Sequence, residues 1–241
     1  MSESLARTTD SPPRGPVRPG RPRREFAGEV EERILDAAAK VFLDRGFEGA
    51  TIDEVAEEAR AGKPTIYARF PGKEALFTAV VARKVHENTS PVSVAATGST
   101  TEERLKALAE VILERALGSD TLGLMRVTVA EARRFPDLAS SVQRMARERG
   151  RESIAQLLGE FAKSDEMGAL PAFAPDRLPA TAHGFADLIL LPMIMRGLFG
   201  EDLAALRAEI GPHVSQSVAF FLAACRYEGD PIGPDPSHAP S

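Results

Sequence analysis

Between Arg60 and Lys73 the chain carries four cations, Arg60, Lys63, Arg69 and Lys73, and no acid. Thr65 and Tyr67 stand among them. These are groups suited to anions. Ammonium and guanidinium groups supply charge, and hydroxyls hydrogen-bond phosphate without adding any. A guanidinium can also bridge O6 and N7 of guanine, which makes Arg69 the candidate base reader. Lys73 follows Pro71-Gly72 and opens a helix, whose free N–H groups can receive a phosphate. Immediately upstream, Asp53, Glu54, Glu57 and Glu58 form an acidic stretch. The formal net charge is −5, so bulk charge draws no nucleic acid to the chain. Any case for DNA rests on where the charges sit.

The flanking sequence is built to hold such a segment outward. Val30, Ile34, Ala37, Ala38, Val41 and Phe42 recur at helical spacing, and Gly46 is free to end that helix in the left-handed region. Thr51-Ile52-Asp53-Glu54 is a capping box, in which the Thr51 hydroxyl and the Glu54 carboxylate each satisfy the other's backbone N–H. Ile52, Val55, Ala56 and Ala59 then face one way. Gly62 breaks the pattern, and a third short helix is expected over Lys63–Phe70, with Pro64 tolerable in its first turn. Ile66 and Phe70 mark its inner edge. Leu76, Phe77, Val80, Val81 and Val85 give a fourth helix its apolar face. Two short helices joined by a Gly-containing turn form a helix-turn-helix over 51–70, within a body spanning 28–88.

At these residues the sequence resembles the DNA-binding domain of TetR-family transcriptional regulators. The likeness rests on Ile34-Leu35-Asp36-Ala37-Ala38, Phe42, Gly46-Phe47 and Thr51 to Ala56. It continues through Gly62 to Phe70 and Pro71 to Phe77, about 60 residues without a gap. The resemblance implies an all-α homodimer with a second helical domain that binds a small-molecule effector and dimerises through its last two long helices. It places Thr51, Arg60, Lys63, Pro64, Thr65, Tyr67, Ala68, Arg69 and Lys73 at or beside a duplex, with Tyr67 and Lys73 on phosphate. The partner would be a near-palindromic operator. Two residues depart from the pattern. Arg60 stands where glycine is common in the turn, and Gly72 replaces a Ser or Asp cap.

Residues 101–227 resemble the family only in layout. Helices are expected near 101–117, 120–134, 137–163, 176–197 and 201–226, with Pro192 kinking the fourth and Gly211-Pro212 kinking or restarting the fifth. Arg126, Glu131 and His183 are polar groups in largely apolar helices and are the candidate effector contacts. Leu188, Pro192, Val214, Val218 and Phe221 are the candidate dimer contacts. Met125, Met193 and Met195 suit core or interface more than pocket. Residues 1–27, basic and proline-rich, read as a disordered arm, 89–100 as an uncharged linker, and 228–241 as a disordered tail.

Several classes fall away. One cysteine, Cys225, permits no disulfide framework and no cysteine zinc site, and the four histidines have no metal-ligand spacing, so neither metal nor cofactor is expected. No nucleophile elbow, Walker loop or zinc-protease motif occurs, so no enzyme is expected. The longest uncharged apolar run, Leu188 to Met195, is too short to cross a bilayer, and no secretion signal is apparent. The Asn88-Thr89-Ser90 glycosylation pattern then has no bearing, and the chain reads as cytoplasmic. The rival reading is a helical protein-interaction adaptor without DNA binding.

Overall fold

The computed structural model describes residues 24–90, 98–164 and 166–226. The expected basic arm (but for its last residues), most of the expected linker, and the expected tail lie outside them. The described residues form helices and short 3₁₀ turns and no strand. α1 is Arg24–Gly49, α2 Ile52–Glu58, α3 Lys63–Tyr67 and α4 Lys73–Thr89. α5 (Thr101–Ala116), α6 (Ser119–Glu131) and α7 (Pro136–Ser164) follow. After two 3₁₀ turns come α8 (Leu178–Leu198), α9 (Leu203–Ala208) and α10 (Ile210–Cys225).

Two apolar clusters hold the molecule. The first gathers Ile34, Phe42, Phe47, Val55, Ile66, Leu76 and Phe77, the inner faces of α1 to α4. Phe42, Phe47 and Phe77 meet there, Phe77 edge-on to both other rings at 5.1 and 5.3 Å. Leu124 of α6 and Val142 of α7 belong to the same cluster. The N-terminal body is therefore not sealed off; its core runs into the second body. The second cluster buries Leu105, Leu113, Leu158, Phe185, Ile189, Val214, Val218 and Phe221 between α5, α7, α8 and α10. Phe185 and Phe221 pack edge-on at 4.9 Å.

Local signals explain most boundaries. Gly46 turns the chain at φ 72, ψ 176, a region that strains any residue with a Cβ. α5 opens with a second full capping box, Thr100 with Glu103. α8 runs unbroken through Pro192, which sits on the exposed side. The stretch expected as one helix over 201–226 divides at Glu209, upstream of Gly211-Pro212. Pro212 then lies in the first turn of α10, where its missing N–H costs nothing. By length and composition α8 could cross a membrane. Its apolar residues Phe185, Ile189 and Met193 are instead buried in the second cluster.

Candidate nucleic-acid interface and effector cavity

The helix-turn-helix is fixed by backbone chemistry at both ends of α2. Thr51 Oγ1 accepts from the Glu54 N–H at 3.2 Å, and Glu54 Oε2 accepts from the Thr51 N–H at 3.0 Å. At the other end the Ala61 N–H donates to Ala56 O (3.0 Å) and the Arg60 N–H to Glu57 O (3.1 Å). That pair is a Schellman closure, which needs a left-handed residue between. Arg60 supplies it at φ 49, so the turn keeps its shape without the glycine. α3 is shorter than expected: its helix ends at Tyr67, with Ala68 as cap. Ile66 is fully buried and Phe70 nearly so, which anchors α3 by its inner edge.

Lys63, Pro64, Tyr67 and Ala68 are exposed on the outside of α3, and Thr51 and Arg60 are exposed beside it. Tyr67 is 52% exposed and, among the described residues, makes no hydrogen bond through its hydroxyl. Thr65 is half-buried. The four cations divide into two kinds. Lys63 pairs with Asp53 at 2.7 Å. Arg69 lies folded back against α1: its Nη1 donates to Thr65 O at 3.2 Å and its Nε faces Glu31 at 4.0 Å. The expected guanine reader is thus turned away from the outer face, because Glu31 offers the nearest countercharge. Among the described residues Arg60 and Lys73 pair with no carboxylate. Lys73 Nζ donates to the carbonyls of Glu48 (2.9 Å) and Ala50 (3.0 Å) and sits 4.9 Å from the Phe47 ring centroid. It thereby satisfies the end of α1, whose partial negative charge favours a cation there. Gly72 provides no side-chain cap for α4.

None of the three expected effector contacts lines the large cavity of the second body. Arg126 donates to Gly197 O (2.5 Å) and Leu198 O (3.4 Å), closing the end of α8. Glu131 ends α6, away from the cavity. His183 is bound to Arg151 and faces Asp187 at 2.9 Å. The cavity itself has about 550 Å³ and lies between α4, α5, α6, α7 and α8. Its walls include Val85, Ile112, Leu124, Ile154, Leu157 and Ile194, with Met125 and Met195 among them. Met193, by contrast, is core. Three lining residues are the Asn88-Thr89-Ser90 run. The missed signal was small residues, Ala146 and Gly150, where a continuous apolar stripe would demand large ones.

The expected dimer contacts separate as well. Val214, Val218 and Phe221 are buried in the protomer's own core, so they cannot meet a partner. Alternate apolar positions on the same two helices are exposed: Leu191 and Met195 on α8, Phe199 as its cap, and Phe220 on α10. Pro192 shares that surface, with Leu188 half-buried beside it.

A feature the sequence did not disclose joins the two bodies. Phe135, between α6 and α7, packs edge-on to Phe47 of α1 at 5.1 Å, and the neighbouring Arg134 pairs with Glu48. Gly123 of α6 lies so near Leu43 of α1 that a Cβ there would collide with it.

A short helix held outward by a capped partner, on an all-helical chain with a cavity in its second body, defines the class of helix-turn-helix DNA-binding regulators. The family model for bacterial regulatory proteins of the tetR family matches residues 34–80. That for the C-terminal domain of AefR-like transcriptional repressors matches 103–227, more than half of the chain. The chain belongs to the TetR family. It is similar to the HTH-type transcriptional activator FasR of Mycolicibacterium smegmatis, 34% identical over 117 residues, which are 47% of this chain. The chain spans about half (52%) of that protein's length. A TetR-family regulator structure from Mesorhizobium loti shares the fold, with TM-score 0.68 and 24% identity over 82% of this chain and 97% of that one. The flavonoid-responsive regulator FrrA is 28% identical, with TM-score 0.58, over 82% and 97% of the two chains.

Proposed function

We propose that the protein binds a specific DNA duplex as a homodimer and leaves it when a small molecule occupies the second body. One observation carries the reading: Tyr67 presents a free hydroxyl on the outer face of α3, in a segment whose Arg60 and Lys73 pair with no carboxylate among the described residues. Pro64, Thr65 and Ala68 occupy the remaining outward positions, where apolar contact with a thymine methyl and hydroxyl contact with a base edge are available. Lys63 and Arg69 join only by giving up Asp53 and Glu31. A phosphate or guanine offers each an equivalent partner.

Dimerisation uses the exposed face of α8 and α10. Leu191, Met195, Phe199 and Phe220 are large apolar groups left exposed, two of them also at the cavity, which a monomer has reason to cover. Two α3 helices then meet successive major grooves of a near-palindromic site, roughly 34 Å apart. The protein acts in the cytoplasm, where that DNA is.

Control runs through α4. Its N-terminal Lys73 closes α1 beside the DNA face, while Val85 and Asn88 near its other end line the cavity. A ligand shifts DNA affinity only by binding one arrangement of α4 better than the other. Repression fits the C-terminal family match, and activation fits FasR; the sign depends on where the site lies relative to a promoter. A gel shift on the DNA upstream of the protein's own gene tests the core of this reading. Retarded DNA with a salt-dependent affinity is expected. No retardation of that DNA, or of any duplex from a random pool, would refute it.

A further inference from the structure

The cavity's polar groups sort into two sets, and the sorting specifies the chemistry of its occupant. The first set is already hydrogen-bonded within the protein. Asn88 Nδ2 donates to Thr121 Oγ1 (3.2 Å), and Thr121 Oγ1 donates to Arg115 O (3.3 Å). Ser153 Oγ donates to Thr89 O (3.2 Å), while the Thr89 and Ser90 hydroxyls return to carbonyls of α4. Thr128 does the same in α6. Lys84 is matched by Glu87 at 2.7 Å. These groups fasten α4 to α5, α6 and α7 and have little left to give a ligand.

Two lining side chains are different. Gln143 and Arg147, one turn apart on α7, make no hydrogen bond or ion pair among the described residues. Both are exposed at the rim, so a ligand's polar end can reach them while its body lies within. No aspartate or glutamate lines the cavity, and its surface is otherwise almost wholly aliphatic. Beside Arg147 the wall is kept low by Ala146 and Gly150. A Cβ on Gly150 would meet nothing within 4 Å.

Resting on the regulator reading, we propose that the effector is an apolar molecule bearing one anionic group. The apolar body fills the space between α4, α6, α7 and α8, and Arg147 with Gln143 receives the anion at the rim. Cations are excluded: Arg147 repels them and no lining carboxylate receives them. Each methylene buried tightens binding by about fourfold, the equivalent of ~0.8 kcal/mol per methylene.

The test uses the full chain and chain-matched amphiphiles below their micelle concentrations, followed by calorimetry. Decanoate or decyl phosphate is expected to bind at least about tenfold more tightly than decanol, as a charge-assisted hydrogen bond would give. Decyltrimethylammonium is expected not to bind. The stronger of the two anions tells a carboxylate from a phosphate ester. Arg147→Gln should reduce both anions to the level of decanol. Gly150→Leu, projecting into open space, should weaken every apolar ligand while circular dichroism stays unchanged. Equal binding of anion, alcohol and cation would overturn the proposal, as would an anion preference that survives Arg147→Gln. DNA retardation measured on the same samples separates this from the regulator reading. Protein that holds DNA but prefers the cation loses the ligand class alone. Protein that retards no duplex loses the regulator reading.

Discussion

Arg60→Gly sets two properties of one residue against each other. The Schellman closure after α2 requires a left-handed residue, and Arg60 adopts φ 49 to provide it. For an L-residue that conformation costs about 1–2 kcal/mol. Glycine removes the cost but brings a freer unfolded chain, worth about 0.4–1 kcal/mol against it. The net expectation is a gain of roughly 0.5–1 kcal/mol, or about 1–4 °C in Tm for a chain of this size. The same change deletes one of the two cations of this segment that pair with no carboxylate among the described residues. If each Arg60 neutralises one phosphate, the slope of log affinity against log salt falls by roughly 0.9 per protomer, or about 1.8 for a dimer. The variant should therefore be more stable and bind DNA less tightly. Arg60→Ala separates the effects, because it loses the charge and keeps the strain. Denaturant melts and a salt titration of the gel shift read the two quantities. A destabilised glycine variant would refute the strain argument. An unaltered salt slope would show that Arg60 never meets phosphate.

Other expectations follow from single contacts. Tyr67→Phe, which keeps the ring and removes the free hydroxyl, should weaken binding to all duplexes alike; a loss confined to one base pair would make Tyr67 a base reader. Phe135→Ala should cost roughly half of the ~3–5 kcal/mol of a fully buried phenylalanine, since Phe135 is half-buried. It should also blunt ligand release more than DNA affinity, and a fully responsive variant would remove the Phe47–Phe135 contact from the coupling. Phe220→Glu should give folded monomers by sedimentation. Val218→Glu, inside the protomer, should unfold it instead, and an intact Val218→Glu dimer would contradict the burial. Hydrogen bonds from Arg196 hold Glu201 and Glu209 below the usual carboxylate range. Their joining of α8, α9 and α10 is thus present above that range and lost as pH falls through the lowered values. Arg196→Gln should flatten this part of an acid melt. Burial pushes the Cys225 thiol up to about 11, so a thiol reagent at neutral pH should react only after unfolding.

What was readable in the sequence divides along physical lines. Capping, turn residues and helical period act over a few residues, so α2, its cap at Thr51, the non-helical break at Gly46 and the inner edge of α3 at Ile66 could all be placed beforehand, though α1 itself runs on to Gly49. So could the outward course of Tyr67. Side-chain destinations set by distant chain could not. Arg69 has an outward-compatible position just after α3, yet Glu31, thirty-eight residues earlier, draws it back. Lys73 has the spacing of a phosphate ligand and also closes α1 through Glu48 and Ala50.

Three of the expected dimer contacts lie inside the protomer for a sharper reason. Val214, Val218 and Phe221 formed the stronger apolar stripe on α10, and the stronger stripe of an amphipathic helix goes to the protomer's core. The weaker face keeps its apolar groups exposed, here Phe220 with Leu191, Met195 and Phe199, and it is this face that the proposed dimer uses. The cavity inverts the same logic. Arg126, Glu131 and His183 drew attention because polar groups in apolar helices are costly unless satisfied, and each is satisfied: Arg126 by the end of α8, His183 by Asp187, and Glu131 by partial exposure at the close of α6. A site for an apolar ligand is made by omission, from Ala146 and Gly150 where bulk was due. Restoring bulk at Gly150 should therefore abolish response to ligand while leaving DNA affinity intact, which no substitution at Arg126 should do.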